Sequence, residues 1–163
     1  MDLAKQIDSI ISDQIRTAAE VTEAAVLPDA YSVHVDAGIT PCAEQKPLPA
    51  AITKKSLDQK SPAEWAYERI ILYIQNFEEQ LDSDHEVGMG FVGGDIGTLK
   101  IKGMGFFAPD MITFYGEDPN GSKMQLVQHV NQLNVMLVSA HKDNIEAEPN
   151  RIGFKLAKEL EAK

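Results

Sequence analysis

The sequence predicts an α+β domain: a helix followed by a small, strongly bent antiparallel β-sheet or barrel, with an N-terminal amphipathic helix and a linker ahead of it. Two observations carry this. Ser61-Pro62-Ala63-Glu64 is a helix-start signal, and an apolar face repeating every three to four residues follows it. Residues 85–139 then fall into short apolar stretches separated by glycine, proline, asparagine and aspartate, the pattern of strands and turns.

In chain order, residues 2–27 carry Leu3, Ile7, Ile10, Ile11 and Ile15 at helical spacing, and Pro28 ends the run. Tyr31, Val33 and Val35 alternate as in a short strand. Residues 28–60, interrupted by Pro41, Pro47 and Pro49 with scattered lysines, read as an extended or disordered linker. The main domain therefore begins at Ser61 and runs to residue 141. Its helix, over 61–82, places Tyr67, Ile70, Ile71, Ile74, Phe77 and Leu81 on one face, and Asp82-Ser83-Asp84 ends it. Trp65 and Tyr73 are expected to pack, and Glu78-Glu79 to form a solvated face. Gly88-Met89-Gly90-Phe91-Val92-Gly93 has the spacing of a dinucleotide-binding loop, but that motif follows a strand and opens a helix. Here a helix precedes it and a strand follows, so 86–94 reads as a glycine-relieved strand.

Further strands are expected over 98–107, 111–115, 123–129 and 133–139. Residues 124–140 contain no Asp, Glu, Lys or Arg and are rich in Gln and Asn. Leu126, Val130, Leu133 and Leu137 also fit a helix there, but the valines favour two strands around a brief turn at 130–132. Residues 142–163 form a polar tail with a short helix over 152–160, capped by Asn150.

The totals exclude several classes of function. With 25 acidic and 15 basic residues the net charge is −10, which argues against long nucleic acid and against an anionic membrane surface. No apolar run approaches the ~20 residues of a membrane span. Cys42 is the only cysteine, so no intrachain disulfide or thiolate cluster forms, as expected in a cytoplasmic protein. Met1-Asp2-Leu3-Ala4-Lys5 does not look like a signal peptide. The four histidines lack zinc-ligand spacing, the serines lack an elbow motif, and Cys42 lies in the linker. No catalytic residue, metal or cofactor is expected, and an enzyme is not.

A capped helix followed by five short bent strands resembles the Sm-like barrels, and 98–139 is similar in layout to the bacterial Sm-like RNA chaperone. Residues 61–160 also resemble an uncharacterised bacterial and phage family. That resemblance lies in Ser61-Pro62-Ala63-Glu64-Trp65, in Gly103-Met104-Gly105-Phe106-Phe107-Ala108-Pro109-Asp110 and in Gln128-His129-Val130; it carries no assigned activity. The Sm-like resemblance implies a ring of subunits joined by edge strands. It also implies ligand contacts after the second strand (Phe106, Phe107, Asp110) and between the last two (Gln128, His129, Asn131). The RNA chaperone has a lysine beside its histidine where this chain has Gln128, so a small nucleotide-like ligand fits better than long RNA.

The residue chemistry agrees with that expectation. Phe106 or Phe107 offers a stacking face, and Gln128 and Asn131 offer paired donors and acceptors. His129 can donate through a ring N–H, and Asp110 can orient its turn or accept from a ligand. A phosphate would fall to the backbone of 88–97 or to Lys100 and Lys102. The uncharged 124–140 run suits a subunit interface equally well, because no charge is desolvated there. The expectation is a non-enzymatic homo-oligomer that sequesters a signalling nucleotide in a phage or bacterial immunity setting. The alternative is a scaffolding module whose N-terminal helix recruits a partner.

Overall fold

The computed structural model describes residues 30–35, 42–91 and 97–162. The helix expected over 2–27 lies outside them. No strand forms over 30–35, where Tyr31, Val33 and Val35 are exposed. An extended segment with no strand beside it has no ladder to join.

Residues 42–60 are folded onto the domain, where an extended linker was expected. They make 3-10 turns at Ala43–Gln45 and Leu57–Gln59 around a short helix, α1 (Ala50–Thr53). Two features anchor them, and the second reaches α2 (Pro62–Glu78). Ile52 is buried. Lys60, whose side chain is 2% exposed, ion-pairs with Glu68 on α2 at 2.8 Å, donates to the Ile52 carbonyl and sits 4.8 Å from the centre of the Trp65 ring. Arg69 lies 4.9 Å from the same ring. A buried lysine is tolerated because its charge is paired and its protons are bonded. The prolines and lysines that read as a linker mark the bends and the anchor of this wrap.

At the start of α2 the Ser61 hydroxyl accepts from the Glu64 N–H at 3.1 Å, with Pro62 in the first turn. Glu64 reaches Lys55 instead of bonding back to Ser61. The helix ends at Glu78, short of the expected residue 82.

Five strands follow, in the expected order, so the fold is α+β. β1 (His85–Phe91) pairs antiparallel with β5 (Val135–His141). β2 (Lys100–Phe107), β3 (Met111–Glu117) and β4 (Lys123–His129) form a second antiparallel sheet. The Met89–Leu99 bridge joins β1 to the foot of β2. Two strands around a 3-10 turn, Val130–Gln132, thus account for the uncharged run, and the helical alternative is excluded. A closed barrel is not formed: among the described residues no pairing joins β4 to β5. The Val130 N–H donates to the Asp110 carbonyl at 2.8 Å. That bond draws the turn onto the β2–β3 connection, and β5 leaves it to pair with β1.

Period-two alternation sends Met104, Ile112 and Phe114 to the inner face of the three-stranded sheet, and Ile101 joins them across a bulge between Ile101 and Gly103. With Val87, Met89 and Leu99 they pack on Ile71 and Ile74 of α2. Each such side chain contributes about 1.5–3 kcal/mol by leaving water. The last helix, α3 (Ile152–Glu161), docks its first turn on α2. A Cβ at Gly153 would lie 2.6 Å from the Gln75 amide nitrogen, so only glycine permits this approach.

Glu78, expected on a solvated face, is 2% exposed under that first turn. Its Oε1 accepts from the Phe154 N–H at 3.2 Å, while Oε2 is buried without a partner. Burial pushes the Glu78 carboxyl up to about 7, against the pull of the α3 backbone N–H groups and of Arg151.

Candidate functional site

Three stretches far apart in the sequence meet at one corner. The Ala63 N–H, at the start of α2, donates to the Pro109 carbonyl at 3.0 Å. Asp110, next along the β2–β3 turn, meets His129 at the end of β4, with Oδ2 3.0 Å from Nε2. The Asn131 N–H donates to His129 Nδ1 at 3.0 Å. Nδ1 is therefore the acceptor and the neutral ring carries its proton on Nε2, which donates to Asp110. Gln132 closes the turn by accepting from the His129 N–H at 2.9 Å. His129 thus caps the 3-10 turn with one ring nitrogen and ties it to Asp110 with the other. This differs from the expected role, in which a ring N–H was available to a ligand.

The pleat sorts the remaining predicted residues. Directly paired residues share a face and neighbours alternate. Phe107, Met111 and His129 form one row across the outer face, and Phe106, Ile112 and Gln128 form the adjacent row on the inner face. Phe107 is 78% exposed. Phe106 packs on Tyr67, with ring centres 5.2 Å apart. Gln128 therefore does not line a pocket with Phe107 and His129; its Oε1 is buried without a partner. Asn131 is exposed on the turn.

Lys100 and Lys102 lie toward the other end of β2, roughly 23 and 17 Å from Phe107 at ~3.3 Å per residue. Lys100 is ion-paired with Asp143 and lies 3.9 Å from Glu86. The corner thus holds Phe107, Asp110, His129 and Asn131 together, and neither lysine. Val92 and Gly93 of the glycine-rich stretch lie outside the described residues, as do Gly94, Asp95 and Ile96.

The sequence reading missed a second group on the same outer face. Tyr115 and Gln125 are directly paired, two rows from the lysine end, and Lys123 pairs with Glu117 beyond them. Their alternation along 111–117 and 123–129 was the available signal. Together with Lys102 they line a groove of about 380 Å³.

Among the described residues no three His, Cys, Asp or Glu side chains are grouped to hold a metal ion, and no helix is long and apolar enough to cross a membrane. Residues 56–155 match the model of a family of unknown function, DUF6173. No curated protein and no solved structure matches the chain.

Proposed function

The chain belongs to the DUF6173 family of unknown function, and we propose that it works as a non-enzymatic, self-associating protein of Sm-like build that holds a small nucleotide-like ligand, sequestering it as a signal. The strand order supports the Sm-like reading: β5 beside β1, β1 bridged to β2, then β3 and β4, with a 3-10 turn between β4 and β5. That order leaves one side of β4 and one side of β5 without a partner strand among the described residues. The uncharged run of 124–140 spans both, so joining β4 of one copy to β5 of the next desolvates no ionised side chain there.

The observation that carries the ligand reading is Phe107. A ring 78% exposed stands across Met111 from His129, at a corner where Asp110, His129 and Gln132 bond one another and Asn131 is exposed on the turn. An exposed aromatic face at a corner whose open polar group is an uncharged amide suits a base better than it suits a phosphate. Native mass spectrometry of the purified full chain tests both halves. Oligomers carrying a small retained mass are expected. Monomers alone at micromolar concentration, with no heat from a panel of nucleotides and cyclic nucleotides, would sink the proposal.

The scaffolding alternative draws on a groove of about 250 Å³ on the outer side of α2, lined by Tyr31, Leu48, Arg69, Leu72 and Tyr73 among others. A partner helix seated there would compete with the Tyr73 hydroxyl bond to Glu44. That bond raises the Tyr73 hydroxyl to about 12, aided by burial.

A further inference from the structure

We propose that the Tyr115 groove is a second binding site, separate from the corner, and that it takes a nucleoside monophosphate. Gly103 and Gly105 are on the outer face of β2 beside Tyr115, and Cβ atoms built on them would lie 3.8 Å from the Tyr115 ring at Cδ2 and Cε2. The ring therefore leans over a backbone without side chains. Tyr115 remains 43% exposed, which leaves ring surface open to solvent. A ring supported on one side and open on the other is a stacking platform.

The polar surroundings supply the rest of a nucleotide site. Gln125, directly across from Tyr115, is exposed and uncharged, with a donor and an acceptor to meet a base edge. Lys102 and Lys123 line the same groove. Both are exposed, and neither has an ion pair among the described residues, in contrast to Lys100. Unpaired lysines around an aromatic ring in a chain of net charge −10 make a local anion site. Glu117 limits its capacity. Two lysines against one carboxylate suit a single phosphate, while Glu117 can accept from a ribose hydroxyl. A triphosphate, or the continuing backbone of a strand, would bring negative charge that nothing in the groove meets.

Titration calorimetry on the full chain, with adenosine 5′-monophosphate as the probe, tests the proposal. The wild type is expected to bind it, and to bind adenosine, inorganic phosphate and adenosine triphosphate more weakly. The double variant Lys102→Gln, Lys123→Gln should lose about tenfold or more in affinity through the lost charge-assisted bonds. Tyr115→Leu should lose a similar factor, and both losses should recur in a Phe107→Ala background, where the corner has no stacking ring and only the groove is read. The lysine pair is exposed, so its replacement tests binding even if Tyr115→Leu unfolds the sheet. No binding by the wild type, or unchanged binding by the lysine pair, would overturn the proposal. Loss in Phe107→Ala with the lysine pair unaffected would also overturn it and would move the ligand to the corner.

Discussion

The two ends of the β2–β3–β4 sheet draw on similar residue types, an exposed aromatic ring, an acid and uncharged amides, and they differ in how these are bonded. At the corner, Asp110, His129, Gln132 and the Asn131 N–H satisfy one another, and the product is a rigid turn with Phe107 standing out of it. At the groove, Tyr115, Gln125, Lys102 and Lys123 make no such bonds among the described residues, and the product is a surface with unused donors. A polar cluster thus shows its role through what its groups already touch. A closed set of bonds stabilises the fold; an open set near an aromatic ring is available to a ligand.

The groove end is most sensitive to substitution at Gly116. A Cβ there would fall 2.2 Å from the Lys100 carbonyl oxygen. Gly116→Ala is expected to separate β2 from β3 at the groove end, with a stability loss at the upper end of about 1–3 kcal/mol in urea unfolding. A loss below ~0.5 kcal/mol would show that the backbone gives way instead. At the corner, His129→Ala removes the cap and the bond to Asp110. Both side chains are partly exposed, so screening limits the expected cost to about 1 kcal/mol. The Asn131 amide, bonded to His129 in the wild type, should then exchange faster with solvent, while the Phe114 amide does not. Equal acceleration at both amides would mean global loosening. The smallest stability effect is expected from Phe107→Ala, within about 0.5 kcal/mol, since the ring is exposed; a larger loss would show that Phe107 holds the fold.

Much of this architecture was readable from residues. Ser61 with Pro62 located α2, and the glycine and proline turns located the strands to within a few residues. The turn at 130–132 was readable because His129, Asn131 and Gln132 interrupt two valine-rich alternations. The corner was half readable. Asp110 and His129 meet through strand register, which adjacent hairpins fix. Strand parity sets Gln128 on the opposite face from His129, and strand length sets Lys100 and Lys102 apart from Phe107; both follow from the strand bounds, and grouping by sequence position overlooks them. Lys60 and Glu78 were not readable: their burial depends on chain that wraps over α2 from either side, and Glu78 meets its helix 76 residues downstream.

That meeting makes folding a proton-uptake reaction. The Glu78 carboxyl stands at about 7 in the folded chain, against 4.5 for an ordinary glutamate. Between those values the folded state holds a proton that the unfolded chain has released. The contribution is fully present below about 4.5 and is lost as pH rises through 7, so from this group stability falls with rising pH. Its full size is on the order of 3 kcal/mol. Glu78→Gln carries no proton to exchange and should flatten that part of the stability curve. In the wild type near pH 6, the calorimetric enthalpy of unfolding should shift between buffers of different ionisation enthalpy, because the released proton is taken up by the buffer. Equal shifts in wild type and Glu78→Gln would place the proton elsewhere.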